Sequence, residues 1–129
     1  MPLGGRADAP HLPRPVPIEA YGNGGFRFGG MSHRGSLLCF PDGIWAWPLN
    51  DVSELGEGAL LPVLDRAESL DFFLIGAGRD PWVLPEKLRQ RFRDVSLSVD
   101  TMATGAAVRT YNILLAENRR VGAGLIAVA

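Results

Sequence analysis

Arg79, Thr101, Thr104 and Arg109 are the residues whose types and spacing could act together in this chain. Their shared chemistry is the holding of a small anion or carboxylate. Guanidinium groups bring charge and fixed donors, and threonine hydroxyls bring adaptable ones. A helix expected over about residues 103–118 adds free backbone N–H groups and the positive end of its dipole at its start. Gly76, Ala77 and Gly78 come just before Arg79, at the exit of an expected strand. Met102 and Gly105 flank the helix start. Asn112, two turns along the helix, lies among apolar neighbours and needs an internal partner. The candidate site is therefore Gly76, Ala77, Gly78, Arg79, Thr101, Met102, Thr104, Gly105, Arg109 and Asn112.

Nothing in that set is a reactive constellation, so no catalytic residue is assigned. His33 is one of two histidines and follows Ser32 directly; adjacent loop residues do not give the geometry of a triad. It reads as a turn histidine making local hydrogen bonds. Cys39, the single cysteine, permits no intrachain disulfide, and its apolar neighbours Leu37, Leu38 and Phe40 mark a buried structural thiol. One cysteine and one histidine outside the N-terminal segment exclude a zinc site of ordinary composition. Asp71, Asp80, Asp94 and Asp100 are scattered at expected strand ends, where aspartate satisfies turns and caps. No metal and no cofactor are expected.

Gly76-Ala77-Gly78 follows an expected strand, the right place for a phosphate cradle. Pro81 stands where a dinucleotide fingerprint needs its third glycine, and no Gly-Lys-Ser/Thr follows. These glycines read instead as a tight strand exit. With 13 basic and 14 acidic residues the net charge is -1, which gives no nucleic-acid footprint. No apolar run approaches the roughly 20 residues that span a bilayer, and no secretion signal is evident. The expected location is the cytoplasm of a bacterium, with any membrane association made through a partner.

The elements that must position these groups can be read along the chain. At 129 residues one domain is expected. Residues 1–17 hold five of the ten prolines and read as a flexible tail, leaving 18–129 as a single α/β domain. Short strands are expected at 18–21, 26–28, 36–40 and 43–47, the last two joined by the turn Pro41-Asp42-Gly43. Trp45 and Trp47 should share one face, with Ile44 and Ala46 on the other. A short helix is expected over 54–66 despite Pro62. The run Asp71–Gly76 reads as a strand buried on both faces. A helix over 85–93, a strand over 95–99, the helix over 103–118 and a last strand over 121–128 complete the chain. The long helix should bury Ala103, Ala106, Ala107, Tyr111, Leu114 and Leu115. The β-α-β-α-β second half with N-terminal hairpins implies a three-layer α/β sandwich around a mixed central sheet. If 72–76 and 95–99 are adjacent parallel strands, Gly76–Arg79 and Asp100–Gly105 face one another at one sheet edge, where open α/β sheets bind ligands.

The segments Tyr21–Phe28, Gly43–Pro48, Ile75–Gly78 and Met102–Asn112 are similar to a family of unknown-function domains. That family includes mitochondrial complex I assembly factor 3 and the adipogenesis-associated domain protein. The resemblance covers about residues 18–128, and Met102–Asn112 is its most specific part. It implies a compact three-layer α/β fold and a role as a partner protein, not an enzyme. It carries over no catalytic residue.

Two readings of function stand together at this point. One is a non-catalytic binding or assembly factor whose partners are protein subunits of a respiratory or other membrane complex. The other is a domain that binds a small anion or nucleotide, or a cryptic enzyme, at the strand-end edge.

Overall fold

The computed structural model describes residues 11–129. Eight strands and three α-helices follow in order: β1 (Ile18–Gly22), β2 (Gly25–Phe28), β3 (Met31–Arg34), β4 (Ser36–Phe40), β5 (Gly43–Trp47), α1 (Glu57–Leu64), β6 (Phe72–Gly76), α2 (Glu86–Asp94), β7 (Val99–Met102), α3 (Thr104–Ala116) and β8 (Val121–Leu125). The central sheet has the order β5-β4-β8-β6-β7. Its β8-β6-β7 half is parallel, and β5-β4-β8 is antiparallel, so the sheet is mixed. A separate antiparallel sheet of order β1-β2-β3 lies over part of it.

Strand alternation sends the side chains of the central sheet into two cores. On one face Phe73, Ile75, Leu38, Phe40 and Trp47 pack with Leu60 and Val63 of α1 and Leu88 and Phe92 of α2. On the other, Leu37, Cys39, Leu74, Ala123 and Leu125 pack with Ala107, Val108 and Tyr111 of α3 and with Ile18, Phe26 and Phe28 of the small sheet. These are the three layers expected from the sequence. β6 is buried on both sides as its unbroken apolar run requires. Trp47 reaches across the sheet to Gly124, where an added Cβ would come within 2.6 Å of its ring. A larger residue there would force Trp47 out of the core.

Several boundaries differ from expectation. The strand expected at 95–99 lies at 99–102. Val95–Ser98 instead finish α2 through a Schellman motif: Ser96 takes φ +57°, its N–H donates to Arg93 O at 3.0 Å, and Leu97 N–H donates to Phe92 O at 3.0 Å. β3 was not expected, because Ser32, His33 and Arg34 give no apolar alternation; pairing with β2 alone makes it a strand. Its His33 is thus a strand residue, not a turn residue. The helix expected over 54–66 is shorter, and the last strand ends at Leu125. The buried face of α3 is Thr104, Ala107, Val108 and Tyr111, continued by the partly buried Leu114 and Leu115; of the expected stripe, Ala103 and Ala106 are half-buried at the helix start.

Residues 1–10 of the expected tail lie outside the described residues. Its described part, 11–17, packs on the domain. His11 N–H donates to Ile44 O at 2.8 Å, Ile44 N–H donates to Leu12 O at 2.9 Å, and Leu12 and Val16 pack against the α3-side core. Pairing to the edge of β5 uses backbone groups, which proline content does not reveal.

Candidate functional site

β6 and β7 are adjacent and parallel, in register at Gly76 and Met102. Their C-terminal ends therefore meet the start of α3. Ala77 N–H donates to Met102 O at 2.8 Å, and Ile126 N–H donates to Gly76 O at 2.9 Å. The chain then turns at Gly78, whose φ of +106° is a conformation an L side chain rarely adopts.

Thr104 ties this turn to the helix and to the last strand. Its backbone N–H donates to Gly78 O at 2.8 Å. Its hydroxyl accepts from Gly78 N–H at 2.9 Å and donates to Ile126 O at 2.7 Å. Thr104 is fully buried. Gly76 is tightly enclosed: an added Cβ would sit 3.0 Å from Thr104 Cα and 3.1 Å from Ala107, so the helix start would have to give way. The other polar groups are occupied in the same way. Thr101 Oγ1 donates to Trp82 O at 2.7 Å, and the Met102 sulfur accepts from Thr110 Oγ1 at 3.8 Å. Asn112 finds the internal partner it needs in the backbone of Ile18, accepting from its N–H and donating to its carbonyl, both at 2.9 Å. Asn112 thereby fastens β1 to α3 and does not face a ligand.

The remaining four candidates open onto solvent together. Gly78, Arg79, Gly105 and Arg109 line a cleft of about 330 Å³, with Tyr21, Ala103, Ala106, Val128 and Ala129 completing its walls. Neither arginine has an ion-pair partner among the described residues, and the backbone N–H groups of Gly105 and Ala106 have no acceptor there. Tyr21 is 45% exposed and leans on the helix start, where an added Cβ at Gly105 would collide with its hydroxyl. Tyr21 is the site residue that the spacing of the chain did not point to, because the small sheet delivers it from more than eighty residues away. Its only local signal is a large aromatic just before the turn-prone Gly22-Asn23-Gly24-Gly25.

Other reactive groups are built into the core. Burial pushes the Cys39 thiol up to about 12 and raises the neighbouring Tyr111 phenol as well. The Tyr111 hydroxyl makes no hydrogen bond within ordinary geometry, and the thiol beside it is its polar neighbour. His33 Nε2 lies 3.3 Å from Ser36 O, the local hydrogen bond expected for it, and its ring packs 4.7 Å from that of His11. Burial and the second imidazole hold the His33 pKa below its ordinary value. Among the described residues no group of three or more His, Cys, Asp or Glu is placed to hold a metal ion, and no helix is long and apolar enough to cross a membrane.

What this arrangement can do is bind: it offers unpaired cationic and amide donors around a recess. Comparison with known proteins gives that geometry a setting. An uncharacterized protein of Rhodobacter capsulatus is 36% identical over 111 residues, covering 86% of this chain and 84% of that one. The NADH dehydrogenase [ubiquinone] 1 alpha subcomplex assembly factor 3 of Drosophila melanogaster is 29% identical over 112 residues, covering 84% of this chain and 57% of the fly protein. A crystal structure described as an outer membrane protein of Bartonella henselae superposes with a TM-score of 0.88 at 47% identity, over 92% of this chain and 100% of that one. The model of the DUF498/DUF598 proteins of unknown function matches residues 18–126. The chain belongs to that family, whose α/β sandwich it shares and which takes in the complex I assembly factor.

Proposed function

We propose that this chain is a non-catalytic binding domain that assists the assembly of a respiratory or other membrane protein complex. The observation that carries the reading is the division of the strand-end cluster. Its hydroxyls and amide side chain are spent on internal hydrogen bonds, while Arg79, Arg109 and the first free amides of α3 stay open. Such a surface recognises a carboxylate or another anionic group without a nucleophile or base beside it. The assembly-factor relative supports a protein as the partner.

The test is deletion of the gene in its native host, followed by measurement of assembled NADH:ubiquinone oxidoreductase on native gels. Complex levels should fall, recover with the wild-type gene, and fail to recover with Arg79→Glu/Arg109→Glu. Normal levels of this and other membrane complexes in the deletion strain would overturn the reading.

The same open donors favour a second reading, in which the cleft takes a free small anion or nucleotide. Thermal-shift measurements against carboxylates, phosphates and nucleotides test it. Absence of a shift with all of them counts against it.

A further inference from the structure

The four ion pairs between described residues all lie away from the small sheet: Arg66 with Asp42, Arg91 with Glu57, Arg93 with Glu86, and Arg120 with Asp71. Arg27 and Arg34 have none, although both are exposed. The antiparallel register places Ala20, Arg27 and Ser32 in one row and Gly22, Gly25 and Arg34 in the next, on the same face. That face holds two guanidinium groups, a hydroxyl and otherwise almost no side-chain bulk. It borders a second recess of about 410 Å³. Tyr21 lines both this recess and the cleft of Arg79 and Arg109. Among the described residues no Asp or Glu side chain lines either one; Asp51 and Asp80 line a third concavity that shares Arg79. Four arginines without an ion-pair partner among the described residues therefore line the two recesses that Tyr21 borders; Tyr21 pairs with Phe26 and His33, so its side chain leaves the opposite face of the small sheet from Arg27 and Arg34 and reaches the start of α3.

We infer that the two recesses form one docking surface for an acidic, extended segment of a partner protein, crossing the β1 edge at Tyr21 from Arg27/Arg34 to Arg79/Arg109. This rests on the binding-domain reading above and specifies its partner's chemistry. Charge complementarity selects an acidic occupant. Recesses around a single aromatic suit a narrow peptide better than a bilayer, which meets protruding apolar groups, or a nucleic acid, which needs a series of stacking platforms.

The test uses the whole chain and fluorescence anisotropy with a labelled poly-glutamate peptide about ten residues long. Binding should be saturable and weaken with salt. Arg27→Glu/Arg34→Glu and Arg79→Glu/Arg109→Glu should each weaken it about tenfold, and the fourfold variant further. The charge-matched control Lys87→Glu/Arg89→Glu on α2 should leave it unchanged. Replacing the four arginines with lysine should retain most of the binding, which separates lost charge from lost folding. Absence of saturable binding, an equal loss in the control, or tighter binding to phosphatidylglycerol vesicles or to an RNA oligomer of similar charge would each overturn the inference. A loss confined to the Arg79/Arg109 variant would also overturn it while leaving the proposed function standing. If instead the peptide profile holds and the deletion strain assembles its complexes normally, the assembly role falls and the surface remains.

Discussion

Thr104 and Gly105 are neighbours at the start of α3, yet they end in opposite states. Thr104 is fully buried, with its hydroxyl bridging Gly78 and Ile126. Gly105 opens its N–H to the cleft and yields its side-chain space to Tyr21. The difference comes from helix geometry. Successive residues point about 100° apart, so one turns into the sheet and the next out of it. The same division runs through the whole strand-end cluster. Gly76, Ala77, Thr101, Met102, Thr104 and Asn112 knit strands to helix, while Gly78, Arg79, Gly105 and Arg109 face solvent. A cluster of polar and small residues at a strand end is thus two structures, an inner brace and an outer lip.

Substitutions should separate the two. The largest effect is expected from Thr104→Val, which keeps the volume and leaves Gly78 N–H and Ile126 O without partners. It should cost about 2–4 kcal/mol in urea unfolding; a loss under about 1 kcal/mol would break the distinction. Asn112→Leu removes both bonds to Ile18 and should cost about 2 kcal/mol. Amide exchange at Ile18 should rise with it, and unchanged protection there would contradict the bracing role. Gly105→Ala is expected to cost about 1 kcal/mol because Tyr21 must move. In a Tyr21→Ser background the same change should become neutral or stabilising, since alanine is the better helix former. Equal effects in both backgrounds would show that Tyr21 does not press on the helix.

His33 of the small sheet gives the fold a pH response near neutrality. The His33 pKa is held below 6.5 in the fold, so as pH falls through 6.5 the unfolded chain takes up a proton that the folded chain resists. That contribution to stability is complete above 6.5 and is lost progressively below it. The melting temperature should fall over that window. His33→Gln should flatten the dependence, and an unchanged pH profile would remove His33 as its source. The smallest effect is expected at the lip: Arg79→Glu/Arg109→Glu should change stability by about 0.5 kcal/mol or less. A larger loss would mean that these arginines brace the fold after all.

Much of the fold was legible because its signals are local. The buried run Phe72–Gly76, the hairpin turn at Pro41-Asp42 and the stripe of Leu88 and Phe92 each state their element within a few residues. The expectation that Gly76–Arg79 faces Asp100–Gly105 assumed strands at 72–76 and 95–99; the second lies at 99–102, so Asp100–Met102 pair with Leu74–Gly76 inside the sheet, and it is the start of α3 that meets Gly78 and Arg79. The misplaced strand at 95–99 fails for an equally local reason. A serine at φ +57° ends a helix as glycine usually does, and side-chain type alone does not announce it.

By itself the sequence determined the layering, the mixed sheet and the strand-end edge as the place to look, because apolar periodicity dictates which faces must be buried. Only the tertiary structure decided which of the ten candidate residues are spent inside and which remain open. A threonine or asparagine has the same hydrogen-bonding groups in either role. What fixes the role is the backbone partner that folding brings from elsewhere: Ile126 to Thr104, Trp82 to Thr101, Ile18 to Asn112. The same folding sets Tyr21 against Gly105 and leaves Arg79 and Arg109 without ion-pair partners among the described residues.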